Sequence, residues 1–157
     1  MLAALCRDNA VVRYLDLIRR VLALALRREA LDAPVLNNIS KVVDYLAFGI
    51  GQRTDERLVV LFLNAKTRVV DELYLDGGAD TVTVCTRSIV LRALLTGAVG
   101  VVLAHNHPSG DREPSRADID VTRELARALR AIDVRLLDHL IIGRGTGYTS
   151  MREQHLL

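Results

Sequence analysis

The sequence predicts a mixed α/β domain in which a central β-sheet lies between helices and is preceded by a helical extension. Apolar residues recur at helical spacing over the first third of the chain, runs rich in Val, Leu and Phe begin after Glu56, and helical and strand-like stretches then alternate. A chain of 157 residues buries roughly 70% of the surface that the unfolded chain exposes. Since half of the residues are hydrophobic and only 4% are aromatic, the core is expected to be mainly aliphatic.

The first predicted helix covers residues 9 to 30. Its apolar positions lie three and four residues apart with arginines between them: Val12, Leu15, Ile18, Leu22 and Leu26. This spacing is typical of an amphipathic helix. Because Asp8, Asp16 and Glu29 dilute the arginines, a solvated helix face is favoured over a patch that binds phosphates.

A second helix is predicted for "ISKVVDYLAFGIG", after the break "APVLNN". Asn38 or Ser40 is its candidate N-cap, and Gly49 or Gly51 lies near its end. We place the boundary between the helical extension and the following domain around residues 51 to 55. The predicted extension is therefore residues 1–52, and the predicted domain is residues 53–157.

The predicted sheet begins with two strands, "RLVVLFLN" and "VVDELYL", which the polar turn "AKTR" joins into an antiparallel hairpin. After the turn "GGAD" we expect a short strand, "TVTV", and then a helix, "TRSIVLRALLTGA", with Thr86 or Ser88 as its cap. An apolar strand, "VGVVLAHNH", a helix at residues 115–132 and a further strand, "VRLLDHLIIG", complete the pattern. "GRGTG" then turns the chain into "YTS" and a short tail.

Charge and cysteine content restrict the class of protein. The 21 basic and 19 acidic residues give a net charge of +2, which neither implies nor excludes nucleic-acid binding. Arg7 and Asp8 interrupt the apolar start, so no signal peptide is predicted, and no window offers the roughly eighteen apolar residues of a membrane span. Cys6 and Cys85 are isolated, which suits a reducing compartment. We therefore expect a soluble cytoplasmic protein.

The segment "HNHPSGDREPSRAD", residues 105–118, is the strongest candidate for a functional site. His105 and His107 stand at the end of a predicted strand, where residues i and i+2 point to one face, so that two imidazoles can share a metal ion. Asp118 lies in the first turn of the next helix, from which it can be directed back toward the histidines. Two imidazoles and one carboxylate leave a tetrahedral zinc ion with one position for water, as in catalytic sites.

Each of these residues has an alternative interpretation. A His-x-His pair also occurs as two satisfied polar side chains at a strand end. Ser115 and Asp118 form a pattern typical of a helix capping box, and Asp111 is a competing carboxylate in the loop. The residue pattern alone leaves these alternatives open.

The remaining polar residues near this segment have simpler interpretations. Asn106 points to the opposite strand face and is predicted to fix the loop, and Ser109 is assigned to turn chemistry. His139, in "LLDHLIIG", is interpreted as a satisfied core histidine, with a role behind the metal ligands left open. Cys85 is interpreted as a small buried apolar residue.

Residues 105–118 resemble the signature of the JAMM (MPN-plus) metalloprotease family, which is His-x-His-Pro, six residues, Ser, two residues and Asp. "HNHPSGD", together with upstream "LVVLFLNAKTRVVDE" and downstream "LLDHLIIG", is similar to the RadC branch of that family. The resemblance extends from about residue 38 to the C-terminus. It implies a JAB/MPN fold of the cytidine-deaminase-like architecture.

The resemblance also implies a ligand set and a zinc cofactor. By it, His105, His107 and Asp118 hold the zinc ion, and an upstream glutamate contacts the zinc-bound water. Glu56, directly before the first strand, matches that glutamate best.

Glu72 and Asp71, in the next strand, are weaker matches to the same glutamate. The implied general base is thus Glu56, and the Ser115 hydroxyl is implied to stabilise negative charge on a carbonyl oxygen. The implied activity is zinc-dependent hydrolysis of a peptide or isopeptide bond in a protein or peptide substrate.

Two other functions are weighed against this one. The RadC branch has carried a DNA-repair label, so an activity on DNA is an alternative. RadC proteins commonly have an N-terminal helix-hairpin-helix region, whereas this sequence begins in a helix that resembles only the connector beyond it, so DNA binding by that module cannot be carried over. A non-catalytic scaffold is the third function, and the intact ligand set argues against it. The N-terminal helix is expected either to mediate self-association or to dock on its own domain.

Overall fold

The computed structural model describes residues 9–77, 82–145 and 147–157. The helices within these ranges are α1 (Asn9–Leu31), α2 (Ile39–Ile50), α3 (Val82–Thr96) and α4 (Arg116–Arg130), and a short 3-10 helix lies at Val35–Asn37. The strands are β1 (Arg57–Leu63), β2 (Val69–Asp76), β3 (Gly100–Asn106), β4 (Arg135–Ile142) and β5 (Tyr148–Ser150). The predicted α/β class with an N-terminal helical part is confirmed.

Among the described residues, five strands form one mixed sheet in the order β2-β1-β3-β4-β5. Strand β1 is antiparallel to β2, which confirms the predicted hairpin, and it is also antiparallel to β3. Strands β3 and β4 are parallel and are connected through α4, whereas β4 and β5 are antiparallel. The loop before α4 therefore leaves the carboxyl end of a central strand, which is a favoured place for a ligand in α/β sheets.

Apolar side chains cover both faces of this sheet. On one face, α2 packs on β1 and β3, and α1 reaches the same core near its end through Ala30. On the other face, α3 and α4 contribute Ile89, Ala93, Leu125 and Leu129. All seven residues of β3 are buried, so the polar residues at its end are held on a rigid central strand.

Strand β4 contains one irregularity. Val101 pairs with Leu136, but the next residue of β3, Val102, pairs with Asp138. Leu137 is the extra residue of a β-bulge, and the alternation of side chains changes phase there. As a result His139, which pairs with Leu103, lies on the sheet face that carries α3 and α4.

Most of α1 lies outside the core. Its large apolar side chains are widely exposed, for example Tyr14 at 69% and Leu24 at 66%. The self-association proposed for this helix stays a prediction. Among the described residues, we find no helix whose length and apolar content would let it span a membrane.

The prediction for the segment before α3 was wrong. Val82–Val84 were expected in a strand and Thr86 or Ser88 at a helix cap, but α3 already begins at Val82 and contains both of those residues. The β-branched residues favour strands only weakly. Burial of Ile89 and Ala93, one helical turn apart, against the sheet outweighs that preference.

Some predictions concern residues whose placement is not described. Cys6, Arg7, Asp8, Thr81 and most of the turn "GGAD" lie outside the described residues. The same is true of Thr146 in "GRGTG" and of the side chain of Cys85.

Candidate metal centre

Four side chains that can bind a metal meet at the carboxyl end of β3. Glu56 directly precedes β1, His105 belongs to β3, His107 begins the following loop, and Asp118 lies in the first turn of α4. One candidate ligand atom of each lies within 4.8 Å of the other three. The Nε2 atoms of His105 and His107 are 2.9 Å apart, and the Asp118 oxygens lie 3.4 and 3.3 Å from them.

Strand pairing brings Glu56 to the histidines. Leu58 pairs with His105 across β1 and β3, and Glu56, two residues before Leu58, shares its side of the sheet. The side chain of Asn106 holds the backbone of residues 55–57 through two hydrogen bonds. Its amide nitrogen donates to the Asp55 carbonyl at 3.0 Å, and its amide oxygen accepts from the Arg57 N–H at 3.0 Å. Asn106 thus fixes the backbone on both sides of Glu56.

The start of α4 orients Asp118. Ser115 is the N-cap, and the two residues form the predicted capping box. The backbone N–H and the hydroxyl of Ser115 donate to Asp118 Oδ2 at 2.8 and 2.6 Å. Burial alone would raise the pKa of Asp118, but the hydrogen bonds from the hydroxyl and the backbone N–H of Ser115 help to hold it well below its usual range. The carboxylate is therefore ionised at neutral pH.

The ring of His107 presents a lone pair to this cluster. Its Nδ1 lies 3.1 Å from the Asp111 carbonyl oxygen, which can only accept, so Nδ1 carries the hydrogen. In the neutral ring Nε2 is then an acceptor, and it faces His105 and an ionised carboxylate. Acceptors that converge in this way repel each other unless a cation lies between them. The donor set of two imidazoles and a carboxylate fits a zinc ion.

The loop between β3 and α4 supports this arrangement by turn chemistry. Gly110 N–H donates to the His107 carbonyl at 2.9 Å, and Gly110 has a positive φ of 81°, which suits glycine. The Ser109 hydroxyl accepts from Asp111 N–H, and the Asp111 carboxylate accepts from Glu113 N–H. The interpretation of Ser109 and Asp111 as turn residues agrees with these contacts.

The alternative carboxylates of β2 lie elsewhere. Glu72 accepts from the Tyr45 hydroxyl at 2.8 Å and pairs with Arg27 at 2.6 Å. Asp71 forms an ion pair with Arg92. Neither belongs to the group of four side chains at the end of β3.

Two residues lie behind the site. For His139 the sequence left a role behind the ligands open, whereas Thr122 was not predicted to take part. His139 contacts His105 Nδ1 through its Nε2 at 2.7 Å, and Thr122 contacts His139 Nδ1 at 2.6 Å. Burial lowers the pKa of His139 to about 3, so the ring is neutral at neutral pH. Thr122 stands four residues after Asp118, on the same helix face, which is the sequence signal that was available for it.

Comparisons with known proteins agree with this geometry. The model of the RadC-like JAB domain matches residues 36–156. A UPF0758 protein of Variovorax paradoxus (strain S110) is 45% identical over 150 residues, which are 94% of this chain and 64% of that protein. A UPF0758 protein of Azotobacter vinelandii (strain DJ / ATCC BAA-1303) is 43% identical over 141 residues, which are 89% of this chain and 61% of that protein.

This chain therefore spans about three-fifths of the length of the curated relatives it matches. The matched region contains the whole cluster of Glu56, His105, His107 and Asp118. The domain and this cluster fit a metallohydrolase. On the match over residues 36–156 and on relatives of 45% identity, the chain belongs to the RadC-like JAB domain family.

Proposed function

We propose that this chain is a zinc-dependent hydrolase of peptide or isopeptide bonds. The observation that supports the proposal is the convergence of Glu56, His105, His107 and Asp118 within 4.8 Å at the end of a buried strand. Four titratable side chains from separate elements are brought together there. Such a grouping in an α/β fold is typical of a site that performs chemistry.

His105, His107 and Asp118 would hold the zinc ion, through the two Nε2 atoms and the carboxylate. When bound, zinc would supply a Lewis acid that lowers the pKa of water toward about 7 and polarises a carbonyl oxygen. The ionised state of Asp118 and the lone pair on His107 Nε2, derived above, are the states that a cation requires of its ligands.

Glu56 is the proposed general base. Its carboxylate takes a proton from the attacking water and returns it to the nitrogen of the leaving amine, so that the amide bond breaks with the charge balanced. The hold of Asn106 on Asp55 and Arg57 keeps Glu56 in place for both transfers.

Ser115 is the proposed donor to the carbonyl oxygen of the substrate. Its hydroxyl now donates to Asp118 Oδ2, and it must turn away from Asp118 to donate to a substrate. The Ser115 backbone N–H still donates to the same oxygen at 2.8 Å. Asp118 therefore keeps one of its two donors while the hydroxyl acts on the developing oxyanion.

Metal content of three purified proteins tests the site. By elemental mass spectrometry we expect about one zinc per chain in the wild type and in Glu56→Gln, and almost none in His107→Ala, because only the histidine belongs to the minimal ligand set. A wild type without zinc after reconstitution would contradict the proposal.

Hydrolysis of a panel of quenched fluorescent peptides and lysine isopeptides tests the activity. We expect Glu56→Gln to be slower than the wild type by roughly 10²–10⁴-fold, as for loss of a general base. Glu72→Gln is the matched control, because Glu72 contacts Tyr45 and Arg27 rather than the metal cluster. Full activity of Glu56→Gln on a cleaved substrate would reject Glu56 as the base.

A further inference from the structure

A chain of buried hydrogen bonds lies directly behind His105. Thr122 Oγ1 is 2.5 Å from the backbone carbonyl oxygen of Asp118 and 2.6 Å from His139 Nδ1, and His139 Nε2 is 2.7 Å from His105 Nδ1. The exposed fractions of Thr122, His139 and His105 are 0%, 3% and 3%. This series of hydrogen bonds therefore connects one candidate ligand, His105, with the helix turn that contains another, Asp118.

The direction of each hydrogen bond follows from the last acceptor in the series, the backbone carbonyl oxygen of Asp118. The Asp118 carbonyl oxygen can only accept, and two oxygens 2.5 Å apart need a hydrogen between them, so the Thr122 hydroxyl donates there. The sulfur of Met151, 3.8 Å from Thr122 Oγ1, is a weaker and more distant acceptor. Since the hydroxyl has one hydrogen, Thr122 Oγ1 accepts from His139 Nδ1–H.

The hydrogen positions on His139 and then on His105 follow from the hydrogen bond that Thr122 accepts. With its hydrogen on Nδ1, the neutral ring of His139 has a lone pair on Nε2. That lone pair accepts from His105 Nδ1–H. The remaining nitrogen of His105, Nε2, then has a lone pair, and it is the nitrogen that faces His107 and Asp118.

We propose that Thr122 and His139 are positioning residues that fix the tautomer and the orientation of the neutral His105 ring, so that its Nε2 lone pair faces the metal site. The value of this arrangement for catalysis rests on the proposed function, in which His105 is a zinc ligand. The tautomer of His105 does not depend on the proposed function, because it follows from hydrogen bonds within the protein. Partners behind a ligating histidine raise metal affinity in this way in metal sites generally.

Nitrogen-15 NMR of the metal-free protein tests the tautomer. Long-range proton–nitrogen correlations distinguish a protonated from an unprotonated imidazole nitrogen, and we expect the hydrogen of His105 on Nδ1. Thr122→Val, which removes the hydroxyl at nearly constant volume, is expected to produce a mixture of His105 tautomers. Thr122→Ser, which keeps the hydroxyl, is expected to retain the wild-type signals. A hydrogen on His105 Nε2 in the wild type would overturn the inference.

Zinc affinity, measured by competition with a chromophoric chelator, tests the consequence. His139→Leu is expected to weaken zinc binding by roughly 10–100-fold. His139→Gln is expected to recover most of that loss, because its amide oxygen can accept from His105 Nδ1–H. Met151→Leu controls for altered packing beside Thr122 and is expected to bind zinc as the wild type does.

The inference would be overturned if His139→Leu bound zinc as tightly as the wild type. It would also be overturned if His139→Leu and His139→Gln, both folded, lost zinc affinity to the same extent. If His139→Leu does not fold, as judged by circular dichroism, the comparison of Thr122→Val with Thr122→Ser decides instead. A wild type that binds no zinc would defeat the proposed function, whereas the NMR measurement would still decide the tautomer.

Discussion

A single buried side chain, Asn106, holds the backbone on both sides of Glu56. It lies between the two histidines in sequence but points away from them, is fully buried, and contacts the backbone of Asp55 and Arg57. One end of its amide donates and the other accepts, and a carboxylate or an aliphatic side chain of the same size cannot do both. The sequence predicted that Asn106 fixes the loop after β3, but the segment it holds is the one that leads into β1.

Replacement of Asn106 by Asp should therefore damage the site without touching a ligand. The variant loses the donor to Asp55 and sets a carboxylate against a carbonyl, and we expect a loss of about 1–3 kcal/mol in the free energy of unfolding. We also expect hydrolysis to fall more than zinc content, because Glu56 is released while the ligands stay. Urea unfolding and elemental analysis measure the two effects.

Asn64→Asp is the matched control for that experiment. Within the described part of the chain, the Asn64 side chain accepts hydrogen bonds from the backbone N–H groups of Lys66 and Arg68, in the turn between β1 and β2, and donates none. A carboxylate can accept both bonds, so a change within about 0.5 kcal/mol is expected. If both Asp variants lose equal stability, the two-sided contact of Asn106 is not what matters.

At the scale of the elements, the first turn of helix α4 contains both the helix cap and a proposed metal ligand, Asp118. The capping box that begins the helix is also the device that aims Asp118 at the histidines. Capping and metal ligation, which the sequence pattern left as alternatives, are compatible in the folded chain. Ser115 satisfies the helix end and the carboxylate at once.

Ser115→Ala should separate capping from metal ligation. Loss of the cap is expected to cost about 1 kcal/mol in the free energy of unfolding, measured by urea titration. Zinc affinity should fall less than in a ligand variant, since the backbone N–H at position 115 still donates to Asp118. Ser109→Ala, in the same loop, is the control, and a larger stability loss there would contradict the assignment of the cap.

The sequence predicted the elements whose patterns are local and missed those that depend on packing. The apolar runs of β1, β3 and β4 identified the central strands, and the metal signature identified His105, His107 and Asp118. The start of α3 was missed because Val82 and its neighbours favour strands locally. The contact of His139 with His105, and that of Thr122 with His139, could not be derived from the sequence. They depend on how β4 pairs with β3 and on where α4 lies, which no local pattern contains.

At the scale of the whole molecule, the four side chains of the candidate metal centre come from distant parts of the chain. They come from the segment before β1, from β3, from the loop after it and from α4. A ligand that binds only the folded state stabilises that state by mass action. Because β3, the loop after it and the start of α4 must be assembled before the three proposed ligands can meet, zinc should stabilise the folded domain.

Thermal unfolding of the metal-free protein, with and without zinc, measures this coupling. At a free zinc concentration of about 100 times Kd, the gain of roughly 2.7 kcal/mol should raise Tm by about 5–10 °C for a chain of this length. His107→Ala should show no such rise. An equal rise in His107→Ala would place the stabilising zinc at other side chains.

The bulge at Leu137 decides which residues of β4 face the site. A chain that lacked Leu137 would pair β4 with β3 in the same register at Asp138 and beyond, so His139 would still reach His105. Loss of Leu137 would mainly change the packing on the opposite face of the sheet, where its side chain lies against Gly100. A strand of unchanged length but without the bulge would instead turn His139 to that opposite face. In this chain, the residues of β4 that face the site are therefore found by counting backward from Gly143, because counting forward from Arg135 by simple alternation gives the wrong ones beyond the bulge.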